Sequence, residues 1–163
     1  MSLLTVIVAT VAALCTAVIF GTDVLGALVL RPAFAEIDDR SLVQVVGRTH
    51  HFGDRRLPVA GVGSIVAAAA ALVIALLAGR PTAGIAAAAG LALLLVWLVL
   101  FNRISLPINK IFIAATEGGE PPADPRALQA RWDSIINLRA ALQGLALIAF
   151  CVTIASAATH LQA

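Results

Sequence analysis

Four long stretches of this chain, residues 3–30, 59–78, 83–101 and 140–158, contain a single charged side chain between them, Asp23. A helix needs about 20 apolar residues to cross the roughly 30 Å hydrocarbon layer of a bilayer, and each stretch is of that order. The rest of the composition agrees: of 163 residues, 61% are hydrophobic and only 12% charged, where a soluble domain carries about 25% charged residues. A spanning barrel would need apolar and polar residues to alternate, and the all-alanine runs at 67–71 and 86–89 show no such period. The expected fold is therefore all-α. It is a single integral membrane domain, a four-transmembrane-helix up-down bundle with spans at about 3–30, 59–78, 83–101 and 134–159 and short amphipathic helices in the first and third connections. The first stretch lacks a basic leading segment and exceeds the apolar core of a signal peptide, so it reads as a span that stays.

Charge is segregated along the chain. Ten of the eleven Lys and Arg residues fall within 31–56 and 103–139, and Arg80 alone serves the link between spans two and three. Basic short loops stay on the cytoplasmic side, which places both segments in the cytoplasm and both termini outside, in the cytoplasmic (inner) membrane. The net charge of +2, with acidic residues interleaved among the basic ones, does not describe a nucleic-acid surface.

In lipid, helices associate through small residues. Gly63, Ala67, Ala71, Ala75 and Gly79 in span two, and Ala9, Ala13, Ala17 and Gly21 in span one, form such close-packing stripes; a homo-oligomer is left open. Gly79-Arg80-Pro81 folds spans two and three into a hairpin. Cys15 and Cys151 read as buried packing residues of spans one and four.

Asp38 or Asp39 can cap a helix whose one face holds Leu42, Val45, Val46, Thr49 and Phe52, with Arg40, Gln44, Arg48 and His51 opposite. His50 and Asp54, four residues apart, share the edge of the inward face, and the helix stops near Leu57 because Pro58 follows. After span three, Ser105 and Pro107 predict a break and a restarted helix to about Thr116. Asp124 and Pro125 then start the last helix well outside the hydrocarbon, and Trp132, Ile136, Arg139 and Gln143 form one stripe descending into the bundle.

An ionisable group inside a span is kept only when paired or used. Asp23 lies at about the depth of Arg139 and Gln143, so an Asp23 to Arg139 ion pair is the simplest account. There is no Ser-His-Asp spacing, no phosphate-cradling Gly loop and no CxxC. His50 and His51 point about 100° apart on a helix and do not share an ion. His50 with Asp54 offers two metal ligands, with Asp23 or Asn109 to add to them; no metal and no organic cofactor is assigned. His160 near the C-terminus reads as exposed.

Taken together, Gly21-Thr22-Asp23 ahead of Arg31-Pro32-Ala33, Gly47-Arg48-Thr49-His50 with Asp54-Arg55-Arg56-Leu57-Pro58, Pro107-Ile108-Asn109-Lys110, and Arg131-Trp132 with Asn137-Leu138-Arg139 resemble the anthrone-oxygenase-like family of small four-helix membrane proteins, much of it of unknown function. The resemblance runs in order over nearly the whole chain. It implies an oxygenase of polyketide-type aromatics that converts an anthrone to a quinone with O₂ and no evident organic cofactor. A base would remove an acidic proton, and the resulting carbanion would react with O₂. His50 would be the base by its ordinary pKa, with Asp54 or Asp23 orienting it. Asn109 and Arg139 would stabilise the enolate oxygen, and Trp132 would stack on the ring. Asn102 and Gln143 complete the expected substrate contacts. Asn137 stands where related sequences often have a histidine, so a base from span four is missing.

The expectation is thus a membrane oxidoreductase with a lipid-accessible pocket for a small hydrophobic, anthrone-like or phenolic substrate. The alternative is a non-enzymatic accessory or scaffold subunit that docks a partner protein or lipid through its loop helices. Convergence of Asp23, His50, Asn109 and Arg139 on one cavity counts against that alternative. Transport is the weaker reading, because no span is broken at mid-membrane.

Overall fold

A computed structural model describes residues 2–159; the expectation for His160 lies outside the described residues. The described chain is helical throughout, with no strand. In order it forms α1 (Ser2–Leu25), a π-helical turn (Gly26–Leu30), α2 (Arg31–Ala35), α3 (Asp39–Arg56), α4 (Pro58–Leu77), α5 (Pro81–Leu100), a second π-helical turn (Phe101–Ser105), α6 (Leu106–Thr116), α7 (Pro125–Asp133) and α8 (Ile136–Ala158).

Four helices are long and apolar enough to cross a bilayer, which marks an integral membrane protein: Ser2–Ala35, Pro58–Leu77, Pro81–Thr116 and Pro125–Ala158. The second has 20 residues, whereas the other three have 34 to 36. At 1.5 Å per residue those three run to about 50 Å and must project beyond a roughly 30 Å hydrocarbon layer. The spanning helices pack in a closed ring, α1 against α4 and α8, and α5 against the same two. The projecting ends α2, α6 and α7, joined by α3, form a cap at one end with its own apolar core of Leu42, Val43, Val46, Ile108 and Phe112. The bundle core beneath it contains Ile19, Ala68, Leu94, Trp97, Ala146 and Phe150.

Expectation and structure differ in five places. Span three is not broken at Ser105. Pro107 lacks an N–H and its ring would press on the carbonyl four residues back, but the chain answers by widening one turn rather than by stopping. The Leu106 N–H donates to the Phe101 carbonyl, five residues back, and the Arg31 N–H does the same to Gly26 just before Pro32. The last helix, by contrast, is interrupted, with Ser134 and Ile135 separating α7 from α8.

The buried face of α1 is Thr5, Ala9, Ala12, Thr16, Ile19 and Asp23, not the stripe through Ala17 and Gly21, both of which are exposed. The buried face of α3 is Leu42, Val43, Val46 and Gly47, while Val45 and Phe52 are 45% and 51% exposed. Gly47 is what lets α3 lie on α6, since a Cβ there would stand 2.4 Å from the Phe112 carbonyl oxygen. Cys15 is half-buried, and Cys151 lies on the outer surface rather than in the core.

The capping expectations hold. Asp38 accepts from the Ser41 N–H at 3.0 Å and Asp124 from the Ala127 N–H at 2.8 Å. The Ser41 hydroxyl, donating to Asp38 Oδ2 at 2.6 Å, and that N–H together hold the Asp38 carboxyl below its usual range. Asp39 instead receives the Arg126 Nε at 2.7 Å, and Arg126 also donates to the carbonyls of Phe34 and Ile37, tying α7 to α2, to the start of α3 and to the segment between them. The hairpin link turns at Gly79, whose φ of 65° suits a residue without a Cβ.

Candidate functional site

Between the bundle core and the cap lies a cavity of about 370 Å³ lined almost wholly by carbon. Its floor comes from α1, α4 and α5, its roof from α3, α6 and α7, and its back wall from Arg139 of α8. Both π turns border it, through Gly26 and Leu30 on one side and Phe101 on the other.

Two polar networks meet there. In the first, Arg139 donates from Nη2 to Asp23 Oδ1 at 2.6 Å and from Nη1 to Ser105 Oγ at 2.6 Å, and Gln143 donates to Asp23 Oδ2 at 2.9 Å. Asp23 and Arg139 are 3% and 5% exposed. Neither charge would be tolerated alone at that depth, so each is the condition for the other. The guanidinium also lies 5.5 Å from the Phe101 ring centre and 5.2 Å from that of Trp132, a double cation–π seat.

The second network crosses the roof. Trp132 Nε1 donates to Asn109 Oδ1 at 2.9 Å, and Asn109 Nδ2 donates to both oxygens of Asp54 at 3.0 and 3.2 Å. The indole can only donate, so it fixes which end of the Asn109 amide faces Asp54. Asn109 therefore holds Asp54 in place. Burial raises the Asp54 carboxyl above its usual range, and the Asn109 bonds and the Arg139 and Lys110 charges only partly oppose this.

His50 lies on the same face of α3 as Asp54 and also lines the cavity, its ring 5.4 Å from that of Trp132 and tilted by 46°. Among the described residues it makes no hydrogen bond to Asp23 or Asp54. Burial, helped by the nearby Arg139 charge, pushes its pKa down to about 4, so the imidazole is neutral near pH 7. His51 points away, as expected, and its Nδ1 meets Glu117 Oε1 at 2.9 Å.

Of the eight residues singled out from the sequence, Asp23, His50, Asp54, Asn109, Trp132 and Arg139 share this cavity. Gln143 sits behind it and reaches it through Asp23. Asn102 is exposed and its amide turns back to the Leu98 carbonyl at 2.8 Å, outside the cavity. Sequence reasoning passed over Ser105, Phe101, Trp97 and Gln129. A serine two residues ahead of Pro107 and a tryptophan within span three were signals, since each carries a polar atom that needs a partner in hydrocarbon.

Among the described residues, four buried side-chain atoms have no hydrogen-bond partner: Trp97 Nε1, Arg139 Nε, Gln129 Oε1 and Gln143 Oε1. The first three belong to residues that line the cavity. The Trp97 indole lies near the Asp23 carboxylate but outside hydrogen-bonding geometry. Among the described residues, no three His, Cys, Asp or Glu side chains come together as a metal site.

The arrangement can bind a flat apolar molecule against aromatic faces, offer its oxygen the Nε of a buried cation and the Trp97 indole N–H, and place a carboxylate of raised pKa beside it. In comparisons with known proteins, the chain matches no family model, no curated protein and no solved structure.

Proposed function

We propose that this chain is a membrane-embedded oxidoreductase of the anthrone-oxygenase type, an up-down bundle in the cytoplasmic membrane with its cap on the cytoplasmic side. Its substrate is a small hydrophobic ring, phenolic or anthrone-like, that reacts with O₂ once the protein has removed a proton. The observation that carries this reading is the convergence of Asp54, His50, Trp132 and Arg139 on one apolar cavity. A scaffold would have no need to gather these groups away from its surface.

Asp54 takes the role of base in this reading. Burial raises the Asp54 carboxyl and so strengthens it as a proton acceptor, whereas the same burial weakens the His50 imidazole by pushing it down to about 4. The neutral His50 ring then packs beside the substrate with Trp132. As Asp54 takes a proton from the ring methylene, the electron pair moves toward the carbonyl; the enolate's charge replaces the one Asp54 gives up, so the net charge of the site is unchanged, and Arg139 stabilises the enolate oxygen. The carbanion carbon bonds to O₂, which is reduced to a peroxide anion, and that anion takes the proton back from Asp54 to become a hydroperoxide. Loss of water from that group breaks the O–O bond and leaves the second carbonyl, so one O₂ and one methylene yield one carbonyl and one H₂O.

Oxygen uptake by purified protein with an anthrone substrate tests this. Asp54→Asn should abolish the uptake and Trp132→Leu should raise KM; undiminished turnover in Asp54→Asn rejects the mechanism. A second reading, an accessory subunit docked on anionic lipid, is favoured by the outer face of α3. There Arg48, Arg55 and Arg56 are exposed beside Val45 and Phe52, and Arg56 lies 5.2 Å from the Phe52 ring.

A further inference from the structure

The cavity has two unlike parts. Asp23, Arg139, Asp54 and Asn109 gather where bundle and cap meet, whereas Ile19, Val62, Ile65 and Leu98 present only hydrocarbon. Val62 of α4 is 60% exposed and Thr22 of α1 is also exposed, and both line the void. The cavity therefore reaches the outer surface between α1 and α4. Both residues belong to helices long and apolar enough to cross a bilayer, so with the bundle in a membrane that opening is on the lipid-facing side.

The unpartnered donors say what should arrive there. Trp97 Nε1 and Arg139 Nε are buried, on side chains 6% exposed each, and both residues line the cavity. A buried N–H without an acceptor is costly, and a ligand oxygen relieves it. Charge decides which kind of oxygen. Asp23 already neutralises Arg139 at 2.6 Å, so an incoming carboxylate or phosphate would add an uncompensated charge in apolar surroundings. A neutral carbonyl adds none. Flat walls suit a ring: Trp97 and Phe101 stack at 5.9 Å, and His50 and Trp132 lie 5.4 Å apart.

We propose that the cavity takes a neutral, membrane-dissolved amphiphile of the quinone class, which enters sideways between α1 and α4, sets a ring carbonyl on Trp97 Nε1 and Arg139 Nε, and leaves an aliphatic tail beside Val62. This rests on reading the cavity as the ligand site, but not on the reaction with O₂.

The chain has two tryptophans, Trp97 and Trp132, and both line the cavity, so intrinsic fluorescence reports on it alone. The full chain in lipid nanodiscs is titrated with a decyl-substituted benzoquinone. The expected result is saturable quenching that decanoate does not displace. Trp97→Phe, which keeps the ring and removes the donor, should weaken the remaining Trp132 signal's Kd about tenfold, the effect of one lost hydrogen bond to a buried group. Val62→Phe, pointing outward, should slow binding several-fold while leaving the unfolding temperature unchanged. Quenching that is linear in quinone, a Kd unmoved by Trp97→Phe, or displacement by decanoate overturns the ligand class; a rate unmoved by Val62→Phe overturns the route. Saturable binding without oxygen uptake by any ring substrate rejects the proposed reaction and retains this inference, and oxygen uptake with linear quenching does the reverse.

Discussion

Arg139 Nη2 meets Asp23 Oδ1 at 2.6 Å and thereby joins the last span to the first across 116 residues. Ser105 and Gln143 complete the contact from two further positions. A buried pair of this kind fails when one member is removed, because the other is left charged without compensation. Asp23→Asn or Arg139→Met should each lower stability by about 3–5 kcal/mol, and Asp23→Leu combined with Arg139→Met should recover most of that loss. Unfolding temperatures in detergent measure this. A double variant as unstable as the sum of the singles would show that charge compensation is not what the pair contributes.

Close approach of backbones gives a second set of outcomes. A Cβ at Gly47 would lie 2.4 Å from both the Phe112 oxygen and Thr116 Cγ2, and nothing lies within 4 Å of one at Gly21. Gly47→Ala should therefore push α3 off α6 and cost about 1–3 kcal/mol, whereas Gly21→Ala should gain about 0.5–1 kcal/mol from reduced freedom of the unfolded chain. Thermal unfolding of the two variants side by side decides it.

Acid should act on the fold through His50. The imidazole titrates near 6.5 when unfolded and at about 4 in place, so the unfolded chain binds more protons between those values. Stability from this group is present above 6.5 and is lost as pH falls toward 4, by up to about 3 kcal/mol. Asp54 works in the opposite sense, since its carboxyl is raised and the folded chain holds that proton more firmly. The histidine effect is isolated by comparison with His50→Gln, whose unfolding temperature should fall less than the wild type's between about pH 7 and pH 4.5. Equal falls would show that the ring is not held neutral.

Trp132→Phe keeps the aromatic face but frees the Asn109 carbonyl, and with it the amide that steadies Asp54. The Asp54 carboxyl should then titrate at higher pH than in the wild type, because donation by Asn109 is what opposes its burial. The carbonyl stretch of the protonated carboxyl, followed by infrared difference spectra against pH, reads this directly. An unmoved titration would mean that the Trp132 to Asn109 bond does not position the acid.

Much of the frame was legible in the sequence, because lipid demands long apolar runs and paired charges. The four spanning helices, the caps at Asp38 and Asp124 and the placement of Asp23 with Arg139 all follow from rules that leave few choices. The helix faces were harder. A spanning helix is apolar on both its lipid and its protein sides, so Ala13, Ala17 and Gly21 looked as good an inner stripe as Thr5, Ala12 and Thr16, and only the hydroxyls broke the tie. On α3 the outward face is also partly apolar, through Val45 and Phe52, and this rotated the reading by about one residue. The partners of Asn109 and the nearness of Trp97 to Asp23 depend on contacts between distant segments, which no local pattern records.

Each π turn carries one residue more than an ordinary helical turn, and one residue is about 100° of rotation. Beyond Gly26–Leu30 and Phe101–Ser105, α2 and α6 therefore run in a different angular phase from the spans that lead into them. Deleting a single residue within either turn should restore a straight ladder, yet swing everything after it around the helix axis. Pro32 and Pro107 thus act as indexing stops between two rotational frames, one set by lipid and one by the cap.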